Sequence, residues 1–387
     1  MTRSVCVITG SRAEYGLLSW LLREIRDDAD LELRLIVTGA HLSPEFGETW
    51  RVIEEDGFAI NAKVDLHLSG DAPPDIARSM SAALTGMAKA LGEIKPDIAV
   101  VLGDRFEIFA AAQAAMLNRI PLAHIHGGEL SEGAMDDAMR HAVTKMAHLH
   151  FVAAEPYRRR VIQLGETPER VFCVGAPGLD NIAYLDLLSR PELENAIGHK
   201  LGKRFLLVTY HPVTLMETST AINELLATLD MFPDYNILIT GVNADPGHKD
   251  IASRLKSYAD GQPDRVSLRA SLGQLRYLSA MKHAAAVIGN SSSGIIEAPA
   301  IKTPTVNIGE RQSGRIRGAT IIDCGESRNE IAAAVRKAVS HEFRETTQSA
   351  VHPYGTPGVA ARIKAVLKDF PLEGILVKRF HDLPAAS

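Results

Sequence analysis

The sequence has little cysteine and no long apolar run. Its three cysteines are far apart, each in or beside a short apolar stretch: Cys6, Cys173 and Cys324. Such spacing predicts small core residues in a reducing compartment, not a disulfide framework. No run reaches the roughly 18 apolar residues of a membrane span. The first apolar stretch, residues 5–8, is too short for a signal peptide. We therefore expect a cytoplasmic protein that does not enter a membrane.

The chain also lacks a strong excess of one charge and the usual cofactor motifs. The formal net charge is −5, so no basic surface for nucleic acid is expected. The GxGxxG fingerprint of dinucleotide-binding proteins is absent, as are HExxH and the Cys/His spacings of zinc sites. A metal site would have to use His124, His126, Glu129, His141, His148 or His150. Because their spacing fits no known metal site, we expect neither a metal nor a cofactor.

Short apolar strand patterns alternate with amphipathic helix patterns through both halves of the 387 residues. This alternation predicts an α/β protein with two Rossmann-like, doubly wound parallel sheets. Residues 179–202 carry helical but not strand character, and the strand pattern restarts at residue 205. We therefore place the first domain at residues 1–178 and the second at 179–365, with the tail 366–387 packing back on the first.

Chemistry is expected between residues 98 and 150, where apolar runs end abruptly in charged and glycine-rich residues. Residues 98–102 and 121–125 read as strands and residues 106–117 as the helix between them. The carboxyl ends of parallel strands meet at one edge, where ligands bind. Five titratable side chains follow these two strands: Asp104, His126, Glu129, Asp136 and Asp137. Their clustering indicates acid/base chemistry.

Each of these residues also has a structural alternative. Asp104 could cap the helix that begins near Phe106, and Asp136 and Asp137 could occupy the first turn of the next helix. His126 could be a buried histidine with its hydrogen bonds satisfied. The residues alone leave both interpretations open.

Two stretches have the composition of anion sites. Arg12 lies in a small-residue turn between a strand and a helix, where it could reach a phosphate. The run 289–297, GNSSSGIIE, follows a strand and opens a helix, so its amides and hydroxyls suit a diphosphate, with Glu297 accepting ribose hydroxyls. Arg311 follows the next strand. The alternative is a serine-rich cap with Glu297 in a capping box.

A set of motifs in fixed order carries a resemblance: TGSRAEYGLL, VLGDRFE, HIHGGE, DDAMRHAVTKMAHLHF, HPVT, GNSSSGIIE and VNIGERQSGR. Together they resemble the hydrolysing nucleotide-sugar 2-epimerases of the sialic and legionaminic acid pathways, within the wider UDP-N-acetylglucosamine 2-epimerases. The resemblance implies a glycosyltransferase-B-like fold with its active site in the interdomain cleft and nucleotide bound by the C-terminal domain. It covers nearly the whole chain.

The resemblance also implies roles for individual residues. The diphosphate ligands would be Arg12, Ser291, Ser292 and Arg311, with Glu297 on the ribose and Gly294 and Asn243 in the nucleotide site. The catalytic set would be Asp104, His126, Glu129, Asp136 and His211. On the sugar side we expect His41 and Arg105.

The implied reaction eliminates UDP from a UDP-2-acetamido sugar and then hydrates the glycal, with inversion at C2. Relatives acting on UDP-N-acetylglucosamine usually carry Glu where His126 stands. The departure favours UDP-2,4-diacetamido-2,4,6-trideoxyglucose, with UDP-N-acetylglucosamine as the alternative. We expect no partner beyond the substrate and further copies of this chain, as a homodimer or larger. A glycosyltransferase and a noncatalytic nucleotide-sugar sensor are the other classes.

Overall fold

The computed structural model describes residues 2–68, 70, 72–132, 134–212, 219–242 and 248–384. The chain forms two compact units. The first comprises Met1–Glu129, Asp136–Asp180 and Tyr354–Ser387, and the second comprises Leu130–Met135 and Asn181–Pro353.

The first unit is a parallel sheet flanked by helices. Its strands are β1 Arg3–Thr9, β2 Leu31–Thr38, β3 Ala62–Val64, β4 Ile98–Leu102, β5 Leu122–Ile125, β6 Leu149–Val152 and β7 Val171–Cys173. Its helices begin with α1 Arg12–Arg26, α2 Trp50–Glu55, α3 Pro73–Ile94, α4 Phe106–Leu117, α5 Asp136–Met146 and α6 Glu155–Gln163. Short 3-10 helices cover Gly39–Leu42, Pro44–Phe46 and Pro168–Arg170. The boundary at Asp180 falls within α7, Gly178–Tyr184.

The second unit repeats this plan. Its strands are β8 Phe205–Thr209, β9 Asn236–Thr240, β10 Val266–Arg269, β11 Ala286–Gly289, β12 Thr305–Ile308 and β13 Ile321–Cys324. Its helices are α8 Arg190–Ile197, α9 Ser219–Leu229, α10 His248–Asp260, α11 Gly273–His283, α12 Ser292–Ile295, α13 Glu297–Ala300, α14 Arg328–Ala338 and α15 His341–Ser349. The last helix, α16 Val359–Asp369, returns to the first unit.

Both sheets reverse their strand order next to their first strand. The orders are β3-β2-β1-β4-β5-β6-β7 and β10-β9-β8-β11-β12-β13, and the paired strands are parallel. In such sheets the carboxyl ends at the reversal point leave a crevice for ligands. The crevices lie between β1 and β4 in the first unit and between β8 and β11 in the second. The predicted doubly wound architecture is confirmed in both units.

One strand at each reversal point is buried along its whole length. All five residues of β4 are buried, and so are all five of β8. Continuous apolar runs of this kind suit strands covered by helices on both faces. A buried strand fixes the start of the loop that follows it, which positions Asp104 after β4 and His211 after β8.

The division of the chain differs from the expected one at two places. The segment Leu130–Met135, expected in the first domain, belongs to the second unit. The return to the first unit occurs at Tyr354, before the expected position of 366. The physical reason is that α16 packs whole on the first unit. Val359, Ile363 and Leu367 join the same apolar core as α1.

Other elements were not expected from the sequence. The strands β3 and β13 and the helices α14 and α15 had no predicted counterpart. Of the three cysteines, Cys6 is buried, Cys324 is half-buried and Cys173 is exposed, so the expectation that all three lie in the core is wrong for Cys173. Within the described ranges, no helix is both long and apolar enough to cross a membrane.

Candidate active site

Asp104 lies in the loop between β4 and α4 of the first unit, where Arg140 binds it. The Arg140 side chain, on α5, is only 3% exposed, and it donates a hydrogen bond to the Asp104 carboxylate. Another nitrogen of Arg140, Nη1, donates to the main-chain oxygen of His126 at 3.1 Å. The N-cap of α4 is Arg105, so the capping role considered for Asp104 does not occur. Arg140 therefore joins the loops that follow β4 and β5.

His126 and Glu129 form a buried pair in the loop after β5. His126 Nδ1 is hydrogen-bonded to Glu129 Oε1, and the two residues are 7% and 1% exposed. Arg140 Nη1 lies 3.8 Å from Glu129 Oε2. His126 has a φ of 68°, in the left-handed region that few residues other than glycine adopt. Such backbone strain is concentrated at functional sites, because surrounding contacts must hold it in place.

The acids Asp136 and Asp137 occupy the first turn of α5, as the structural alternative expected. Asp137 Oδ2 lies 3.6 Å from His141 Nε2, one turn further along. Asp136 is four residues before Arg140, so the two side chains share a face of α5. The helix thus carries Asp136 on the same side as the arginine that binds Asp104. In the described part of the chain, no group of three His, Cys, Asp or Glu side chains could hold a metal ion.

His41 is fully buried beside the end of β1. Its Nε2 lies 3.1 Å from Thr9 Oγ1, and its Nδ1 lies 2.7 Å from Thr49 Oγ1. Burial lowers the pKa of His41 to about 4, and the Arg12 charge adds to the effect. The imidazole is therefore neutral at pH 7, and the structure places it as a link between two threonines.

The two arginines expected to contact substrate differ in their surroundings. Arg12 is exposed and is the first residue of α1, not part of the preceding turn as expected. The helix starts earlier because Ser11 is its N-cap and accepts the Glu14 N–H at 3.4 Å. Arg105 is less exposed, and its Nε donates to the buried Glu107 Oε1 at 2.8 Å.

In the second unit, Asn290 joins the loops that follow β8 and β11. Its Oδ1 accepts the His211 N–H at 2.7 Å, and its Nδ2 donates to the His211 carbonyl at 2.8 Å. The Asn290 carbonyl accepts hydrogen bonds from Arg311 Nη1 at 3.2 Å and from Gln312 Nε2 at 2.8 Å. His211 and Arg311, expected in one site, are thus held around one asparagine.

The serine run forms two helices of four residues each, α12 and α13, where one helix was expected. The physical reason is Pro299, since in a continuous helix it could not donate a hydrogen bond to the carbonyl four residues earlier. The expected anion affinity of a long helix dipole is therefore absent, and the local amides and hydroxyls remain. Ser291 is the N-cap of α12, and Ser292 is its first residue.

A chain of hydroxyl groups lies behind these serines. Tyr277 Oη is 2.6 Å from Ser293 Oγ, which is 3.0 Å from Ser291 Oγ. Tyr277 Oη is also 3.4 Å from Thr209 Oγ1, at the end of β8. Since hydroxyls can donate and accept, this chain fixes the orientation of the Ser291 hydroxyl while leaving it able to bind a further acceptor.

Close packing explains two glycines of the run. Gly289 has a φ of 138°, and a Cβ there would lie 1.9 Å from the Thr209 carbonyl oxygen. A Cβ on Gly294 would lie 3.0 Å from Thr305 Cγ2.

Glu297 is 8% exposed and is the first residue of α13. The N-cap of α12 is Ser291, whose side chain accepts the Ser293 N–H, so Glu297 is in no capping box with the serines. Asn243 lies outside the described residues.

A comparison with known protein families decides which family this chain belongs to. The family described as "UDP-N-acetylglucosamine 2-epimerase" matches residues 23–368, most of the chain. This chain belongs to the UDP-N-acetylglucosamine 2-epimerase family. Of the site residues that the family resemblance implied, all except Arg12 lie within the matched range.

Several curated members of the family match over nearly their full length. A Campylobacter jejuni protein named GDP/UDP-N,N'-diacetylbacillosamine 2-epimerase (hydrolyzing) is 42% identical, covering 98% of this chain and 99% of its own. A Legionella pneumophila protein named UDP-N,N'-diacetylbacillosamine 2-epimerase (hydrolyzing) is 32% identical, over 98% and 99%. A Neisseria meningitidis protein named UDP-N-acetylglucosamine 2-epimerase is 33% identical, over 88% of each chain.

Solved structures of the family have the same fold. A co-structure of S. aureus MnaA with UDP gives a TM-score of 0.80 at 19% identity, covering 99% of this chain and 100% of that one. The N. meningitidis UDP-GlcNAc 2-epimerase bound to UDP-GlcNAc gives 0.79 at 17% identity, covering 94% and 99%. Identities this low establish the glycosyltransferase-B-like fold of the epimerases and nothing finer.

Sequence reasoning gave no role to Arg140 in the first unit or to Asn290 in the second, although each joins loops that carry candidate site residues. Arg140 is buried on α5 with Val143 and Thr144, but which face of this helix points inward depends on how the helix packs. Asn290 was part of the serine motif, but its hydrogen bonds to the His211 backbone depend on the pairing of β8 with β11. Tertiary pairing of that kind cannot be read from local spacing.

Proposed function

We propose that this chain is a hydrolysing nucleotide-sugar 2-epimerase that acts on a UDP-2-acetamido sugar. The observation that carries the proposal is the 42% identity, end to end, with a relative named as a hydrolysing N,N'-diacetylbacillosamine 2-epimerase. The acid/base network after β4 and β5 supports it, because a binding protein or a glycosyltransferase would not need this set of groups. The network consists of Asp104, His126, Glu129 and Arg140.

In the proposed reaction a base removes the C2 proton, the C1–O bond breaks and UDP leaves with both electrons of that bond. The glycal then takes up water, the hydroxyl going to C1 and a proton returning to C2 from the opposite face. The products are UDP and the free 2-epimeric sugar. The enzyme must supply two groups for proton transfer and hold the departing diphosphate.

Asp104, Asp136 and the His126–Glu129 pair are the candidates for proton transfer. Separate environments favour separate roles, because paired acids and bases work when their proton affinities differ. Asp104 is bound to the guanidinium of Arg140. Glu129 accepts from His126 Nδ1 and lies near Arg140, so it orients the imidazole from behind. His211, held by Asn290 in the second unit, is the further catalytic candidate.

The nucleotide is proposed to bind the second unit. Ser291, Ser292 and Arg311 would hold the diphosphate, and Glu297 would accept the ribose hydroxyls. The ordered hydroxyl chain behind Ser291 supports this assignment, because it presents an oriented donor without a conformational cost on binding.

Replacing Glu297 tests the nucleotide site. Glu297→Ala should weaken UDP binding by roughly 1.5–3 kcal/mol, the worth of hydrogen bonds to a charged group. Calorimetric titration with UDP measures the loss. The matched control is Glu345→Ala in the same unit, whose side chain is 72% exposed, and its UDP affinity should equal that of the wild type. Equal UDP affinity in both variants would remove Glu297 from the site.

The favoured substrate is UDP-2,4-diacetamido-2,4,6-trideoxyglucose, and the product would serve legionaminic acid synthesis. Because Glu129 holds His126 Nδ1, the ring presents Nε2 to the substrate, and a ring nitrogen there suits an amide better than a carboxylate does. Two relatives named for the diacetylbacillosamine substrate, at 42% and 32% identity, support this choice. The alternative, UDP-N-acetylglucosamine, draws support from the 33% identical N. meningitidis relative.

A direct comparison of the two sugars tests the substrate and the reaction together. We expect kcat/KM to be higher for the diacetamido sugar by roughly tenfold or more. The hydroxyls that UDP-N-acetylglucosamine carries in place of the 4-acetamido group and the 6-deoxy carbon would leave buried polar groups of the site unpaired. The assay follows nucleoside diphosphate release at one pH, with GDP-linked sugar as a third arm because one relative is named for both nucleotides. Reversed efficiencies would overturn the substrate, and no release from any of the three would overturn the reaction.

A further inference from the structure

Two buried carboxylates share a single arginine at the reversal point of the first sheet. Glu14 on α1 is 5% exposed and Glu107 on α4 is 1% exposed. Arg105 Nε donates to Glu107 Oε1 at 2.8 Å and lies 4.0 Å from Glu14 Oε1. Glu14 Oε2 accepts the Gly10 N–H at 2.7 Å. Among the described residues, Glu14 Oε1 and Glu107 Oε2 have no hydrogen-bond partner although both atoms are buried.

The backbone around these acids is shaped to admit Glu107. A Cβ on Gly10 would lie 2.6 Å from Glu107 Cγ and 2.7 Å from Oε1. A Cβ on Gly39 would lie 3.3 Å from the same Oε1 and 2.8 Å from the Gly10 carbonyl oxygen. Two loops, after β1 and β2, thus lack side chains where Glu107 enters. A site built so closely around a second acid places it there for its charge or its proton.

We infer that Glu14 and Glu107 hold one proton between them and act as positioning residues for Arg105 and the adjoining Asp104 loop. With one proton, the pair carries a single negative charge, which Arg105 balances. Two ionised carboxylates in this buried place would leave one charge uncompensated, a costly arrangement. A carboxylic acid would also give one of the two unpartnered oxygens a hydrogen to donate.

The charged groups around the pair agree with this assignment. The pKa of Glu14 is raised from 4.5 to about 8. Burial is the largest cause of the rise, and the charge of the Glu107 carboxylate is the next. The Arg105 charge and the Gly10 N–H oppose that rise, and the Asp104 charge adds to it. On the β2 side, His41 is neutral above pH 4 because burial lowers its pKa to about 4. The exposed Arg12, at this end of α1, adds a positive charge that acts on His41.

The functional consequence rests on the proposed reaction. Above the pH at which the pair loses its proton, a net negative charge appears beside Asp104, in a unit proposed to handle an anionic nucleotide sugar. Arg105 is then drawn between two carboxylates and loses its fixed position. We expect KM to rise and kcat to fall on the alkaline side.

Stability against pH tests the proton without reference to the reaction. Because the folded state keeps a proton up to about pH 8 that an unfolded glutamate releases near 4.5, unfolding becomes easier as pH rises through this window. Urea midpoints of the wild type should therefore fall over the window, and those of Glu14→Gln should fall less. The control Glu93→Gln, an exposed acid on α3, should follow the wild type.

Kinetics test the positioning role. Wild-type kcat/KM should approach a tenfold fall per pH unit above about pH 8, the slope of one ionisation, and this fall should be absent in Glu14→Gln. Glu107→Gln should remove it as well, which keeps the test open if one variant folds poorly. The double variant leaves Arg105 with neither carboxylate and should lose more activity at every pH than the two single losses predict.

Different results would overturn the shared proton and the proposed reaction. If the urea midpoints of both single variants changed with pH as the wild-type midpoint does, the two glutamates would share no proton, whatever reaction the protein catalyses. If both single variants lost the same activity at pH 6 as at pH 9, with no change of pH profile, both carboxylates would be ionised. That result would also overturn the shared proton. Absence of turnover in the wild type would overturn the proposed reaction and leave the stability experiment decisive for the pair.

Discussion

Asp104→Asn should lower turnover by roughly 100-fold or more and leave UDP affinity nearly unchanged. A general acid or base contributes this much to a proton transfer, and asparagine keeps the size of the side chain while removing its proton chemistry. The substitution also weakens the hydrogen bond with Arg140, so some loss of stability is expected alongside. Single-turnover kinetics, UDP titration and urea unfolding separate these three effects.

The matched control for Asp104 is at the other end of the same strand. Asp97 precedes β4, and its Oδ2 accepts the Ser4 N–H at 2.8 Å. Asp97→Asn should affect stability only. If Asp104→Asn lowered the urea midpoint as Asp97→Asn does and kept near-normal turnover, Asp104 would be a structural partner of Arg140 and no more.

Arg140→Ala should destabilise the first unit by about 3–5 kcal/mol and abolish measurable turnover. Removing one partner of a buried ion pair leaves the other charge uncompensated, which costs more than the pair itself contributes. Here Asp104 and the almost fully buried Glu129 would both lose their cation. Urea unfolding gives the stability, and nucleoside diphosphate release gives the turnover.

Arg140→Lys separates charge from geometry. An ammonium keeps the positive charge but is a single point, and it cannot form the fork that reaches both Asp104 and the His126 carbonyl. We expect most of the stability to return and most of the turnover to stay lost. Arg159→Ala, on a side chain that is 78% exposed, is the control for removing a surface arginine. Full activity in the lysine variant would mean that Arg140 supplies only charge.

The parts of the fold predictable from the sequence are those with strong local signals. Residues 98–102 form a continuous apolar run, and β4 occupies the same span. The helix expected over 106–117 is α4, because its length and composition allow little else. By contrast β3 has only three residues and β13 is a half-buried strand, so neither has the alternation or the length that separates a strand from a loop.

For the candidate site, the sequence identified side chains but not their partners. The order of strands brings Asp104 and His126 to neighbouring positions, which the alternation of elements already predicted. The arginine that binds both loops, Arg140, comes from α5. Which face of that helix points inward becomes clear only when the helix is packed. The pair Glu14 and Glu107 was missed for the same reason. The two residues are far apart in the chain and meet only because β1 and β4 are adjacent.

Isotopic labelling of the products distinguishes 2-epimerisation from simple hydrolysis of the UDP-sugar. The purified protein is incubated with the UDP-diacetamido sugar in heavy water, and the products are followed by proton NMR. We expect free UDP together with a free sugar of the 2-epimeric configuration, carrying one deuterium at C2, because the C2 proton is removed and replaced from solvent. Release of UDP with the original hydrogen and configuration retained at C2 would contradict this expectation, since simple hydrolysis would then be the reaction.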